Sequence, residues 1–374
     1  MSPAAAGGRI GGVDLARGVA VLGMFGAHMG IGRDAELDWA PSTWPAVVDG
    51  RSAVLFAVLA GVSIALLSGG REPAAGEELV RARVRVLVRA AWIFLIGGLL
   101  ELLGTFVAVI LGVYAVLFVL AVPFLRWPPG RLLVLAAVLA VVAPVVDLVA
   151  GQLVTERGGT DLPFARLVVT GFYPALIWWT FVLVGLAVGR LDLRAARTRA
   201  GLVGAGAALA VLGYAGGWLT TRTWAGGRAS DRIGEGYRHV GELDPAWLSG
   251  AAPHGGTTFE VVGSTGVALA VLGLCLALAD GAPWLVRPVA SVGALALSVY
   301  AAHLVAIALI DPGFPAGTGL WLRFCAVALV AATLWRTLVG RGPLEWVLAR
   351  SSRAAARPPR AGGAAARGAV PPAP

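Results

Sequence analysis

Apolar runs of about 20 residues recur along almost the whole chain, each long enough to cross a hydrocarbon core roughly 30 Å thick as a helix. No other feature constrains the fold as tightly. Without water to satisfy its backbone, a segment in that core must be a helix or part of a closed barrel. A barrel would show short alternating segments, whereas these runs are continuous. Composition agrees: 58% of residues are hydrophobic, 14% are charged and the mean hydropathy is +0.80. Soluble domains are about half apolar and a quarter charged. The expected fold class is all-α, a polytopic transmembrane helical bundle of about ten spans. The apolar segments are 13–29, 52–67, 90–103, 105–125, 132–150, 168–189, 202–220, 259–279, 292–310 and 320–339.

The net charge of +9 rests on 30 basic residues, all of them arginine. Short loops hold many of these: five in 71–89, two in 126–131 and four in 190–199. Such placement reads as topology rather than as a nucleic-acid stripe, so no nucleic-acid partner is expected. With an even number of spans these loops share one side with both termini, and the positive-inside rule makes that side cytoplasmic. The first span carries charges and has no small-residue cleavage site after it, so it is not expected to be a cleaved signal. A multi-pass protein of the cell (plasma) membrane is expected, with one transmembrane domain over residues 1–350. Residues 351–374, rich in Pro, Ala, Gly and Arg, read as a disordered cytoplasmic tail. Cys275 and Cys325 sit inside apolar runs and read as buried side chains, and no metal is expected.

The first span keeps three ionisable groups, in DLARGVAVLGMFGAH (14–28). At about 100° per residue, Arg17 and His28 differ by only about 20° around the helix axis, with His28 about 16 Å above Arg17. Asp14 lies on the same side. Ionisable groups within a span are costly and face a bundle interior or an aqueous cavity. Asp14 and Arg17 could form a simple ion pair at the helix mouth. His28 could move a proton near neutral pH or serve only a structural hydrogen bond. Gly18, Gly23 and Gly26 would let neighbouring helices approach closely.

Two loops on the expected exterior side are long: 30–51 and 221–258. Trp224, Tyr237 and Trp247, with His239 and His254, suggest a lid or substrate rim in the second. His254 in PHGGTTFE is followed by Glu260, which would orient His28 or His254, or merely cap a helix. Asp49, Arg51 and His303 are candidate substrate-rim residues. For His303, inside the ninth span, the alternative is a structural hydrogen bond between helices. Glu101 and Asp147 read as paired or interfacial. Signatures of P-loops, zincins, serine hydrolases and CxxC sites do not occur.

At these residues a family resemblance emerges. Arg17, ten intervening residues and His28 resemble the Arg-X10-His signature of acyltransferase-3 transmembrane proteins. RIGGVDLARGVAVLGM (9–24) resembles the opening of the heparan-α-glucosaminide N-acetyltransferase-like branch, and DGRSAVLFAVLAGVSIALLS (49–68) its second helix. GFYPALIWWTFVLVGLAVGR (171–190), PHGGTTFEVVGSTGVALAVLGLCLAL (253–278), ALSVYAAHL (296–304) and RGPLEWVLAR (341–350) are similar to YeiB-like bacterial membrane proteins. The first likeness spans 9–70 and the second 165–350.

The resemblance implies acyl transfer across a membrane. Acetyl-CoA or another acyl-CoA would bind from the cytoplasm, and a sugar, glycan or other hydroxyl or amine would accept the acyl group outside. The heparan branch carries its reactive histidine in the loop before helix two. This sequence has no histidine between Met29 and Ile64, so the role would fall on His28, as base or nucleophile. Asp14, Glu260 and His254 join it as catalytic candidates. Arg17, with Arg81, Arg85 and Arg89 at i, i+4 and i+8 of one helical face, would hold the CoA phosphates; for that run the alternative is topology alone. Expected partners are the bilayer, acyl-CoA, the acceptor and a second copy in a homodimer. The rival class is a proton-coupled transporter or flippase, since membrane Asp, Arg and His also relay protons. No repeat relates the first five spans to the last five.

Overall fold

The computed structural model describes residues 10–29, 48–159, 162–224, 243–310 and 317–357. Among them the regular elements are all helical. In chain order they are α1 (Gly11–His28), α2 (Arg51–Leu67), α3 (Gly76–Glu101), α4 (Leu111–Ala121), α5 (Pro129–Glu156), α6 (Pro163–Ala165, running into a π turn at Arg166–Thr170), α7 (Ala175–Val188), α8 (Ala196–Thr223), α9 (Thr258–Gly281), α10 (Pro283–Ala294), α11 (Ala296–Ile310), α12 (Thr318–Leu338) and α13 (Pro343–Ala355). Helix α13 carries regular structure past residue 350, where the tail was placed; residues 358–374 lie outside the described residues.

Every expected apolar segment overlaps helical structure, but residues 105–110 lie outside any helix and the helices are not ten simple spans. Four, α5, α8, α9 and α12, are long and apolar enough to cross a membrane, and two bent pairs raise the number to six. Helix α2 and the stretch Leu111–Phe124 are apolar but shorter. The first bent pair, Pro163–Thr170 with Ala175–Val188, turns by 58° within the expected segment 168–189. Pro174 explains it, because proline disfavours helical geometry at the residue before it and has no N–H to donate. The second pair, Pro283–Ala294 with Ala296–Ile310, turns by 70° without a proline at the break. There Glu345 of α13 accepts hydrogen bonds from the N–H groups of Leu297 and Ser298, so that α11 restarts with its first turn capped.

Helix α3 also begins earlier than a loop at 71–89 would allow. Glu77 and Glu78 sit in its first turn, where carboxylates are favoured, and both bind Arg81 one turn on. Leu79, Ala82 and Val86 bury the adjacent face. The arginines are thus the polar side of an amphipathic helix that runs on into the apolar segment.

Glycines set how closely the helices meet. A β-carbon at Gly293 of α10 would overlap the Asp14 carbonyl, and one at Gly18 would overlap that of Val289. Helices α2 and α7 meet in the same way through Gly61 and Gly185. Such small-residue contacts are how membrane helices gain packing without a hydrophobic driving force between them. The contacts of α1 also set direction. Gly23 lies against Ser52, while Arg17 reaches Ser63, so α2 runs antiparallel to α1. Gly12 meets Leu276, which brings the Glu260 end of α9 to the His28 end of α1. The bundle therefore has an arginine end and a histidine end.

Candidate functional site

At the arginine end, Arg17 is held by three elements. Its Nη1 donates to Asp14 Oδ1 at 3.0 Å and to the Gly293 carbonyl at 3.2 Å, and its Nη2 donates to Ser63 Oγ at 3.2 Å. Gly293 lies in the last turn of α10, where carbonyls lack helical partners and favour a cation. Asp14 is buried, at 2% exposure, so the pair is not a solvated surface contact. The ion pair foreseen at the helix mouth is present, and it also ties α1 to α2 and α10.

Arg89 lies one turn beyond Arg85 on α3, and its Nε donates to Ser352 Oγ of α13 at 3.5 Å. Burial, and then the charges of Arg85, Arg353, Arg17 and Arg341, lower its pKa to about 10. The charges of Arg17 on α1, Arg85 on α3, Arg353 on α13 and Arg341 in the turn before α13 thus act on Arg89. Arg81 does not join them: its guanidinium is bound by Glu77 and Glu78 at 2.9 and 2.8 Å. Arg85 reaches Glu78 at 4.0 Å. Of the four cofactor-binding candidates, Arg17 and Arg85 act on Arg89 through their charges, as do Arg341 and Arg353.

At the histidine end, Nδ1 of His28 lies 2.8 Å from Nε2 of His303 on α11. His303 is 4% exposed, with its ring centroid 4.5 Å from Phe25 and 5.0 Å from Tyr300. His303 was read as part of a substrate rim, yet here it contacts the leading catalytic candidate directly. Trp321 of α12 closes this side by donating its indole N–H to the Leu22 carbonyl at 2.9 Å.

The same end carries a second group. His254 Nε2 is 3.9 Å from Asp49 Oδ1, with a positive φ of 59°. That backbone region costs a residue other than glycine about 1–3 kcal/mol and marks a position held by its surroundings. Phe172, Tyr173 and Trp178 supply those surroundings, with centroids 4.3, 5.5 and 6.3 Å from the imidazole. Phe172 and Tyr173 occupy the break ahead of Pro174, so the interrupted helix is what presents them. Beside them, Arg51 Nε donates to Tyr214 Oη at 2.9 Å, Tyr214 Oη meets Ser264 Oγ at 3.1 Å, and Ser264 Oγ donates to Glu260 Oε1 at 3.0 Å. The cap of α9 is Thr257, which accepts from the Glu260 N–H at 3.0 Å. The Glu260 carboxylate is therefore engaged with Ser264 rather than serving as the cap. Asp49, Arg51, His254 and Glu260 belong to one neighbourhood. The β-carbon positions of Gly23 and Gly26 on α1 meet Ser52 and Val48, beside that neighbourhood.

The reading of single residues missed Tyr214, Ser264, Phe172, Tyr173, Trp178 and Ser63, which carry no local signal of chemistry. Tyr237 and His239 lie outside the described residues. Among the described residues, no three His, Cys, Asp or Glu side chains form a group that could hold a metal ion.

These features define an all-helical membrane protein with clustered cations at one end and paired histidines at the other. The family model for heparan-alpha-glucosaminide N-acetyltransferase, catalytic, matches residues 9–218, more than half of the chain, and the chain belongs to that family. Its class is thus membrane acetyltransferase-like. The match runs far past the first 70 residues and takes in α1 to most of α8. No curated protein matches the chain.

Proposed function

We propose that this protein is an integral-membrane acyltransferase of the plasma membrane. It moves an acetyl group from cytoplasmic acyl-CoA to a hydroxyl or amine of a sugar or glycan-like acceptor on the exterior side. Both termini and the arginine end face the cytoplasm, and about ten helical segments cross or enter the bilayer. The observation that carries the reading is Arg89, tied to Ser352 of α13 and subject to the charges of Arg17, Arg85, Arg341 and Arg353. Like charges gathered at a partly buried point repel one another, and a polyanion offsets that cost. The pyrophosphate and ribose phosphate of CoA fit such a cluster. A linear pantetheine arm would then lead the thioester along the α1 stripe toward His28, about 16 Å away along the helix.

At the histidine end the residues divide the work. The acceptor oxygen or nitrogen attacks the thioester carbonyl, its proton passes to His28, and the carbon–sulfur bond breaks. CoA leaves as the thiolate, which takes up the proton, so acyl-CoA and acceptor become acylated acceptor and free CoA. Asp14 and Ser63 position Arg17. Asp49, Arg51, His254 and Glu260 offer hydrogen-bonding groups for an acceptor with several hydroxyls, and the faces of Phe172, Tyr173 and Trp178 suit a sugar ring. Purified protein in nanodiscs should bind acetyl-CoA saturably, by calorimetry or native mass spectrometry. An absence of binding would remove the donor from this account.

A further inference from the structure

The contact between His28 and His303 is an in-line one. The ring centroids stand 5.1 Å apart with planes only 10° from parallel, while the facing nitrogens are 2.8 Å apart. The two nitrogens therefore point at each other along the line of centres, as in an in-plane hydrogen bond rather than stacked faces. Between neutral imidazoles one nitrogen must donate and the other accept, which forces a choice of tautomers. If His303 Nε2 donates, Nε2 of His28 carries a hydrogen and cannot take a proton. If His28 Nδ1 donates, its lone pair lies on Nε2, as a base or nucleophile requires.

We propose that His303 is the positioning residue of the reaction. Its Nε2 accepts from His28 Nδ1–H, fixes His28 in the Nδ1–H tautomer and shares the charge when Nε2 takes the acceptor's proton. Both the tautomer it assigns and its catalytic consequence rest on the acyl-transfer reading above, in which Nε2 of His28 takes the proton. The role is that of the third group in a nucleophile–base–orienter constellation, filled by an imidazole instead of a carboxylate. His303 suits it because its own ring is immobilised. It is buried on α11 between Phe25 and Tyr300, and the first turn of that helix is pinned by Glu345.

The chain has only four histidines, so a sample labelled with ¹⁵N at histidine gives an assignable spectrum. In nanodiscs the His28 nitrogens of the unmodified protein should report Nδ1–H with an unprotonated Nε2. His303→Phe keeps a ring beside Phe25 but removes the acceptor, and should shift His28 toward the Nε2–H tautomer. His303→Gln restores an acceptor oxygen and should restore the tautomer at least in part. In a thioester-cleavage assay His303→Phe should lower kcat at least about tenfold with an unchanged KM for acetyl-CoA, and His303→Gln should recover some of the loss. An Nε2–H tautomer in the unmodified protein, or an unchanged tautomer in folded His303→Phe, would overturn the assignment. If the tautomers behave as assigned but no acceptor supports thioester cleavage, the acyl-transfer reading fails while the His28–His303 relation stands.

Discussion

Glu345 Oε2 accepts a hydrogen bond from Ser298 Oγ at 2.5 Å, while its Oε1 accepts from the backbone N–H groups of Leu297 and Ser298 at 2.7 and 3.1 Å. Ser298 Oγ in turn lies 3.1 Å from the Leu344 N–H. A carboxylate at a helix N-terminus satisfies orphan donors and complements the helix dipole. Here it does so from another helix, so α13 fixes where α11 begins and hence the height at which His303 meets His28.

Glu345→Ala should therefore lose about 1–3 kcal/mol of stability, the usual cost of removing a charged acceptor from partly buried donors. Glu345→Gln, which keeps one acceptor oxygen, should lose less. Thermal unfolding in a single detergent checks both, and equal midpoints for Glu345→Ala and the unmodified protein would refute the capping role.

The arginine cluster predicts unequal effects along one helical face. Arg89→Ala and Arg353→Ala should each weaken acetyl-CoA binding by about tenfold or more, since a charge-assisted hydrogen bond contributes about 1.5–3 kcal/mol. Arg81→Ala should change the Kd little, because Glu77 and Glu78 already hold that side chain. Isothermal titration in nanodiscs would show the difference. Equal losses at all three positions would mean that general positive charge, not the cluster, attracts the donor.

Close packing predicts a contrast between two glycines. Gly293→Ala places a methyl group on the Asp14 carbonyl, so α10 must move away from α1 and Arg17 loses one acceptor. Overpacking of this kind costs about 1–3 kcal/mol. Gly204→Ala in α8 meets nothing within 4 Å and should be neutral or stabilising by up to about 1 kcal/mol. Unfolding midpoints measured side by side decide it, and a tolerated Gly293→Ala would deny the tight contact between α1 and α10.

Local periodicity made the stripe of Asp14, Arg17 and His28 legible, and likewise the shared face of Arg81, Arg85 and Arg89. Partners were not legible, because they come from far along the chain. His303 stands 275 positions from His28, and no local pattern links two histidines across that distance. The break at Gly171–Pro174 has its cause in the sequence beside it. The bend before α11 does not, since its capping carboxylate lies 48 positions from Leu297. Arg341 and Arg353 gave no signal of their own, because charge sign alone cannot tell a solvated arginine from one that acts on Arg89. Glu260 was expected to face a histidine or cap its helix. Its acceptor instead found Ser264 one turn along, a contact open to many serines at that spacing and so uninformative in advance.

The central claim is that thioester cleavage occurs at the histidine end, and release of free CoA measures it most directly. The protein is placed in liposomes with acetyl-CoA on the arginine side and candidate sugar acceptors on the other. Asparagine keeps a hydrogen-bond donor but cannot take up a proton at neutral pH, so His28→Asn isolates the proton transfer. The account predicts acceptor-dependent CoA release by the unmodified protein. It further predicts release slower by about a hundred- to ten-thousand-fold in His28→Asn, with acetyl-CoA still bound at near-unchanged affinity. A folded His28→Asn variant releasing CoA at the unmodified rate would contradict it.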